Sequence, residues 1–338
     1  LITVTLYSSR DCELCEQVKA DLAELQAEVP HRLVEIFVED DPALHRQYFD
    51  KIPVIEAGPY RKTYPFNRTE LAVTLRAARD RMESLERVDD AAYRARVERG
   101  QNVTGGDRFS YWFSRNYIWL INLVLLLYVS LPFVAPSLLS SNLSLPASII
   151  YTAYSPLCHQ LGFRSFFLFG EQAYYPREAA GIAGVMTFQQ ATGIPEDDLL
   201  AARQYRGAPG VGYKVALCER DVAIYGAMLA FGVLFAVTGK RIKPLPLVFW
   251  VLIGILPIAL DGFSQLFSQL NMPALAQALP YRESTPFLRV FTGALFGFTT
   301  AWFGIPYIEQ SMSETRRVLT KKFAAASVRE ESSENPPE

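Results

Sequence analysis

Between Ile2 and Tyr7 apolar and polar residues alternate, the two-residue period of a strand, whereas Val18, Leu22 and Leu25 recur on one helical stripe between Cys15 and Glu28. Pro30 ends that helix. Leu33 to Val38 predicts a second strand, Pro42 to Phe49 a short helix, and Ile52-Pro53-Val54-Ile55 the start of a third strand. After a turn near Gly58-Pro59, Arg61 to Tyr64 reads as a fourth strand and Thr69 to Ala78 as a closing helix. From Arg79 to Arg99 charge replaces pattern, as in a solvated helical spacer, and Asn102-Val-Thr-Gly-Gly-Asp107 breaks it.

Beyond that break the periods give way to long apolar runs. Tyr117 to Pro136 carries no charge over ~20 residues, enough to cross a bilayer core. Tyr111, Trp112, Tyr117 and Trp119 form an aromatic belt at its entry. Three more runs follow, so spans are expected near 117–136, 222–238, 245–262 and 287–308, with a long outer segment at 137–221. Residues 145–161 and 179–195 are only moderately apolar and are expected to lie along the membrane surface or re-enter it. The chain therefore divides into an α/β domain (1–82), a charged helical linker (83–110), an all-α membrane domain of about four helices (111–312) and a polar tail (313–338).

Composition sharpens this division. Over 338 residues a net charge of −2 provides no basic field for nucleic acid, and four cysteines do not make a disulfide-stapled secreted scaffold. The first residues, strand then charged helix, are not those of a signal peptide. Arg94, Arg96, Arg99, Arg108 and Arg115 precede the first span, Lys240, Arg241 and Lys243 fill the second-to-third loop, and Arg316, Arg317, Lys321 and Lys322 follow the last. With four spans these groups share one side, which the positive-inside rule makes cytoplasmic. Both termini are then expected on the cytoplasmic side of a membrane.

Candidate chemistry gathers at two places. Cys12-Glu-Leu-Cys15 opens the first helix, where the positive end of the helix dipole favours a thiolate. Cys12 is the expected nucleophile and Cys15, one turn on, the resolving thiol, with a Cys12–Cys15 disulfide as the oxidised form. Arg10 adds positive charge nearby; Asp11 and Glu13 oppose it. A zinc site needs two more ligands, and His31 and His45 do not stand at metal-site spacing.

The stretch resembles the glutaredoxin-like family of small thioredoxin-fold proteins. Thr5-Leu-Tyr-Ser8, Cys12-Glu-Leu-Cys15, Asp41-Pro-Ala-Leu44 and Ile52-Pro-Val54 carry the match over roughly residues 2–80. The resemblance implies a thioredoxin-like fold, thiol–disulfide exchange with a protein partner, and a cis Pro53 facing the dithiol. Glu-Leu between the cysteines and the lack of a Gly-Gly pair after Pro53 depart from glutaredoxins, which puts dependence on glutathione in doubt.

The second place is the outer end of the spans. Cys158-His159-Gln160 lies between spans one and two, Cys218-Glu-Arg-Asp221 opens span two, and Asp261 closes span three. Glu283 and Arg289 border span four. Glu283 and Arg220 are read as reaching lipid headgroups, whereas Asp261 and Arg289, set within apolar stretches, require a partner or a wet cavity. This region resembles a bacterial family of predicted membrane proteins of unknown function. Pro156-Leu-Cys-His-Gln160, Arg164-Ser-Phe166, Cys218-x-Arg220, Asp261-Gly-Phe-Ser-Gln265, Glu283-Ser284 and Arg289-Val-Phe-Thr-Gly293 carry that match over roughly residues 115–308. Members often have a second cysteine where this chain has Asp221.

Cys218 and Asp221 share a helix face and, with Cys158 and His159, could supply a borderline-soft metal ion at the outer face. A Cys158–Cys218 disulfide and two buried free thiols are the alternatives. The aromatic run Phe163 to Tyr175 either covers this site as a lid or packs as a small subdomain. Two functions follow: a membrane-bound thiol–disulfide oxidoreductase, or a ligand- or metal-binding subunit of a larger membrane complex in which the α/β domain docks or regulates. The lipid bilayer is a partner in both.

Overall fold

The structure, a computed structural model, describes residues 1–87, 100, 102–270 and 281–334. It comprises two compact units, Leu1–Asn116 with Gln310–Glu338, and Tyr117–Glu309.

In the first unit, strand β1 (Ile2–Ser8), helix α1 (Glu13–Leu25), strand β2 (His31–Phe37), helix α2 (Pro42–Tyr48), strands β3 (Val54–Ala57) and β4 (Tyr60–Thr63), and helix α3 (Arg68–Arg87) form in the expected order. The sheet order is β2-β1-β3-β4; β1 and β2 are parallel, and β3 is antiparallel to both β1 and β4. This is the thioredoxin-like arrangement. Alternation along β1 is what makes it two-sided. Ile2, Val4 and Leu6 pack with Val18, Leu22 and Leu25 of α1 and Leu71 and Leu75 of α3, while Tyr7 faces Val34, Ile36 and Tyr48 on the other side. The Ile52–Pro53 peptide bond is cis.

Two expectations change. Helix α3 does not stop at Ala78 but continues to Arg87, because Met82 extends the stripe packed on the sheet. The linker assigned to 83–110 is thus helical at its start, and helix α4 (Gly105–Ser140) already begins inside its end; residues 88–99 and 101 lie outside the described residues. Nor are residues 313–334 a polar tail; residues 335–338 lie outside the described residues. Helix α10 (Pro286–Glu334) runs through 313–334, and its Ala324, Ala325 and Val328 pack against the Tyr7 face of the sheet. Arg316 donates to Asp41 at 2.9 Å and to the Ser114 carbonyl at 2.6 Å, and Lys321 pairs with Glu56. Burial pushes the Glu56 carboxyl up, but Lys321 and Arg61 together hold it below its ordinary pKa.

The second unit is mainly helical. After α4 come α5 (Ser144–Tyr154), strand β5 (Ser165–Leu168), the short helices α6 (Phe188–Thr192) and α7 (Leu199–Gln204), and strands β6 (Gly207–Ala208) and β7 (Gly212–Cys218). Helix α8 (Glu219–Val237) follows β7 directly, and helix α9 (Leu247–Gln269) has a π-helical stretch at Trp250–Ile255 just before Pro257. Four helices among the described residues are long and apolar enough to cross a membrane: α4, α8, α9 and the Pro286–Val328 part of α10. Neither 145–161 nor 179–195 forms such a helix. Helices α8 and α10 meet at Gly293 and Gly297. A Cβ at Gly297 would collide with the Ile224 carbonyl, so the Gly-x-x-x-Gly spacing permits the close backbone approach.

Residues 161–218 have a core of their own. Phe163, Phe167, Tyr175, Phe188 and Ala202 are buried together beside a three-stranded antiparallel sheet in the order β5-β7-β6. Of the two readings of the aromatic run, packing as a subdomain is the one these contacts match, because edge-to-face pairs such as Phe167–Tyr175 and Phe188–Tyr205 satisfy the rings internally.

Candidate functional site

Cys12 and Cys15 are joined by a disulfide at the start of α1. Cys12 is the N-cap: its sulfur accepts the Cys15 backbone N–H at 3.2 Å. It is half-buried while Cys15 is 1% exposed, so only the first sulfur can meet a partner. Arg10, two residues before Cys12, is itself engaged elsewhere. Its guanidinium is 2.6 Å from Asp40 and lies over the Phe37 ring.

In the second unit, α5 ends at Tyr154, and the Cys158 N–H still bonds to the Tyr154 carbonyl. Gln160, at φ 52°, turns the chain back. Its side-chain amide donates to the Tyr151 and Ala216 carbonyls at 2.9 and 3.0 Å, and its own carbonyl accepts from buried Lys214 at 2.6 Å. These bonds lock the Cys-His-Gln turn against β7. The Cys158 sulfur then accepts two backbone N–H groups, those of Gln160 (3.4 Å) and Cys218 (3.3 Å).

Cys158 and Cys218 are free thiols in contact, not the disulfide that was one of the alternatives. The Cys218 thiol donates to Cys158, and this with the backbone donors pulls the Cys158 thiol below its ordinary value despite burial and Asp221. Donating that bond, and burial, push Cys218 well above its own. Asp221 joins them: the two sulfurs and a carboxylate oxygen all lie within 4.8 Å of one another. His159 does not, because adjacent side chains diverge at the turn; it is exposed, although it lines the same cavity. That cavity, about 260 Å³, is bordered by Arg164, Arg220, Gln265 and Arg289 as well as the two thiols and Asp221. A larger recess of about 450 Å³, lined by Tyr151, Ser155, Arg203 and Arg206, has no thiol or carboxylate.

Around the cavity is a network of buried ions. Glu283, with a side chain 0% exposed, accepts from Arg289 at 2.5 Å, Arg164 at 2.8 Å and Arg177 at 3.5 Å, and from Gln265 and Gln269. Arg289 also bonds to Glu219 and the Phe163 carbonyl, each at 3.2 Å. Asp261 takes Arg220 at 2.5 Å, Arg282 at 2.9 Å and the Ser284 hydroxyl at 2.6 Å. The partners expected for Asp261 and Arg289 are therefore present. The headgroup reading of Glu283 and Arg220 is corrected: both turn inward, because each completes a charge that apolar helices would otherwise strand. Arg177, and Glu219 beyond its place in the Cys218–Asp221 run, were not legible as partners of these charges. The Gly293–Gly297 spacing one turn beyond Arg289 was the available signal, since it brings α10 close enough to α8 for Arg289 to reach Glu219.

The sheet order, the thiol pair at the helix start and the cis Pro53 agree with one comparison. Residues 3–88 match the glutaredoxin-like domain family (DUF836). Residues 209–303, which include Cys218, Asp221, Asp261, Glu283 and Arg289, match a predicted membrane protein family, DUF2085. No curated protein and no solved structure matches the chain. The chain couples a glutaredoxin-like domain carrying a Cys12–Cys15 pair to a membrane domain.

Proposed function

We propose that the protein is a membrane-bound thiol–disulfide oxidoreductase of the bacterial inner membrane, with its dithiol and both termini on the cytoplasmic side. The observation that carries this reading is the asymmetry of the pair. Cys12 sits accessible at a helix N-terminus with an N–H aimed at its sulfur, while Cys15 is buried one turn behind it. In the reduced protein the Cys12 thiolate attacks a partner's disulfide, forming a mixed disulfide and releasing one partner thiol. Cys15 then attacks the Cys12 sulfur, releasing the second thiol and leaving Cys12–Cys15 oxidised; the partner has gained the two electrons the dithiol lost. A thiol reductant restores the dithiol. The cis Pro53 is assigned to the partner-facing side of the pair, and Val54-Ile55 after it favours a protein disulfide over glutathione.

A second reading makes the membrane domain the working part, with the glutaredoxin-like domain docking or regulating. The cavity at Cys158 and Cys218 favours it. Full-length protein in detergent, assayed for reduction of insulin disulfides with a thiol reductant, separates them. Cys12→Ser should abolish turnover, and Cys15→Ser should trap a mixed disulfide on Cys12 detectable by mass. Wild-type turnover in Cys12→Ser would defeat the oxidoreductase reading.

A further inference from the structure

We propose that Cys158, Cys218 and Asp221 form a binding site for a zinc-class divalent cation, with a fourth coordination position open to the cavity. In a tetrahedral centre with metal–sulfur bonds of ~2.3 Å and metal–oxygen bonds of ~2.1 Å, ligand atoms stand about 3.6–3.8 Å apart. The three atoms here are already within 4.8 Å of one another. Closing onto an ion thus takes side-chain rotation on the order of 1 Å.

The supports are backbone features. Cys218 caps α8 and Asp221 follows at i+3, so both project from one face of a helix start fixed by the preceding strand. Cys158 is held opposite by the Gln160 turn, and its sulfur receives the two backbone N–H groups described above. Such outer hydrogen bonds orient a thiolate ligand and stabilise its charge.

Charge pairing isolates the same group. Glu219, Asp261 and Glu283 are each taken by arginines, whereas among the described residues no ion pair engages Asp221. Two sulfurs and one carboxylate select a borderline-soft cation over magnesium or calcium, which require oxygen ligands. Binding releases the two thiol protons and involves no electron transfer. The resulting centre carries one net negative charge, facing Arg220 and Arg289 across the cavity. The open position takes water or a small anion, because His159 is exposed and stands outside the ligand group.

Cobalt(II) is the probe. The Cys12→Ser/Cys15→Ser variant of the full chain retains only Cys158 and Cys218, so thiolate-to-cobalt charge-transfer absorption reports this site alone. Titration of the reduced protein in detergent should saturate at one cobalt per chain, with zinc displacing it. Asp221→Asn should weaken binding by more than the ~10–100-fold that outer-shell changes cost. Cys158→Ser should diminish the charge-transfer band, and His159→Ala should leave it in place. Absence of saturable absorption in the reduced, folded variant would overturn the site, as would a Cys158–Cys218 disulfide that persists under reductant. Unchanged affinity in Asp221→Asn would remove the carboxylate ligand, and loss of binding in His159→Ala would remove the open position.

Discussion

Replacing Glu283 by Gln tests whether the buried ion network holds the membrane domain together. The substitution keeps the shape and removes the charge on which Arg289, Arg177 and Arg164 converge. Arg289 and Arg177 are 4% and 11% exposed and retain Glu219 and Glu196; Arg164, at 33%, can recover some solvation. Removing the shared partner of a buried pair costs about 3–5 kcal/mol, most of it the stranded charge. Arg282→Gln is the internal comparison. That arginine is 34% exposed, and its partner Asp261 keeps Arg220 and Ser284, so the cost falls to about 1 kcal/mol or less. At roughly 2–4 °C per kcal/mol for a domain of this size, Glu283→Gln should lower the unfolding midpoint by about 6–20 °C and Arg282→Gln by at most about 4 °C. Tryptophan fluorescence in detergent at one fixed scan rate provides the comparison. Equal midpoints, or a larger fall for Arg282→Gln, would refute the network argument.

Helix contact and pH provide two further tests. Gly297→Leu, driven into the Ile224 carbonyl, should destabilise by about 1–3 kcal/mol, whereas Gly304→Ala, with nothing within 4 Å of the new carbon, should be neutral or stabilising; a fall in midpoint for both would argue against close helix packing as the cause. Burial depresses Lys214 to about 7 from an ordinary 10.5, so across that window the unfolded chain binds more protons and stability rises with pH. The slope from this group is at most about 1.36 kcal/mol per pH unit; it should be lost in Lys214→Met, and an identical pH profile for variant and parent would exclude the assignment.

Local order was legible wherever burial follows sequence period. The alternation in β1, the stripe on α1 and the uncharged run after Tyr117 each specify their own element, since one residue decides its neighbour's face. Ends were less so. Helix α3 runs to Arg87 because Met82 finds the sheet, and residues 313–334 are helical with Ala324, Ala325 and Val328 against Tyr7; neither contact is written in nearby residues. Cys218 and Asp221 were grouped by helical spacing, yet Cys158 joins them only through the Gln160 turn, and the same turn leaves His159 outside.

What the sequence by itself determined was the α/β head with its Cys12–Cys15 pair, the four apolar runs long enough to span a membrane, and which charges are set beside them. Only the tertiary structure decided how those charges are spent. Glu283, just before α10, and Arg220, in the first turn of α8, would extend to headgroups if their segments stood alone. They turn inward because the Gly293–Gly297 contact and the 161–218 subdomain bring Glu219, Arg164, Arg177 and Asp261 within reach, and a paired ion in an apolar setting costs far less than a lone one.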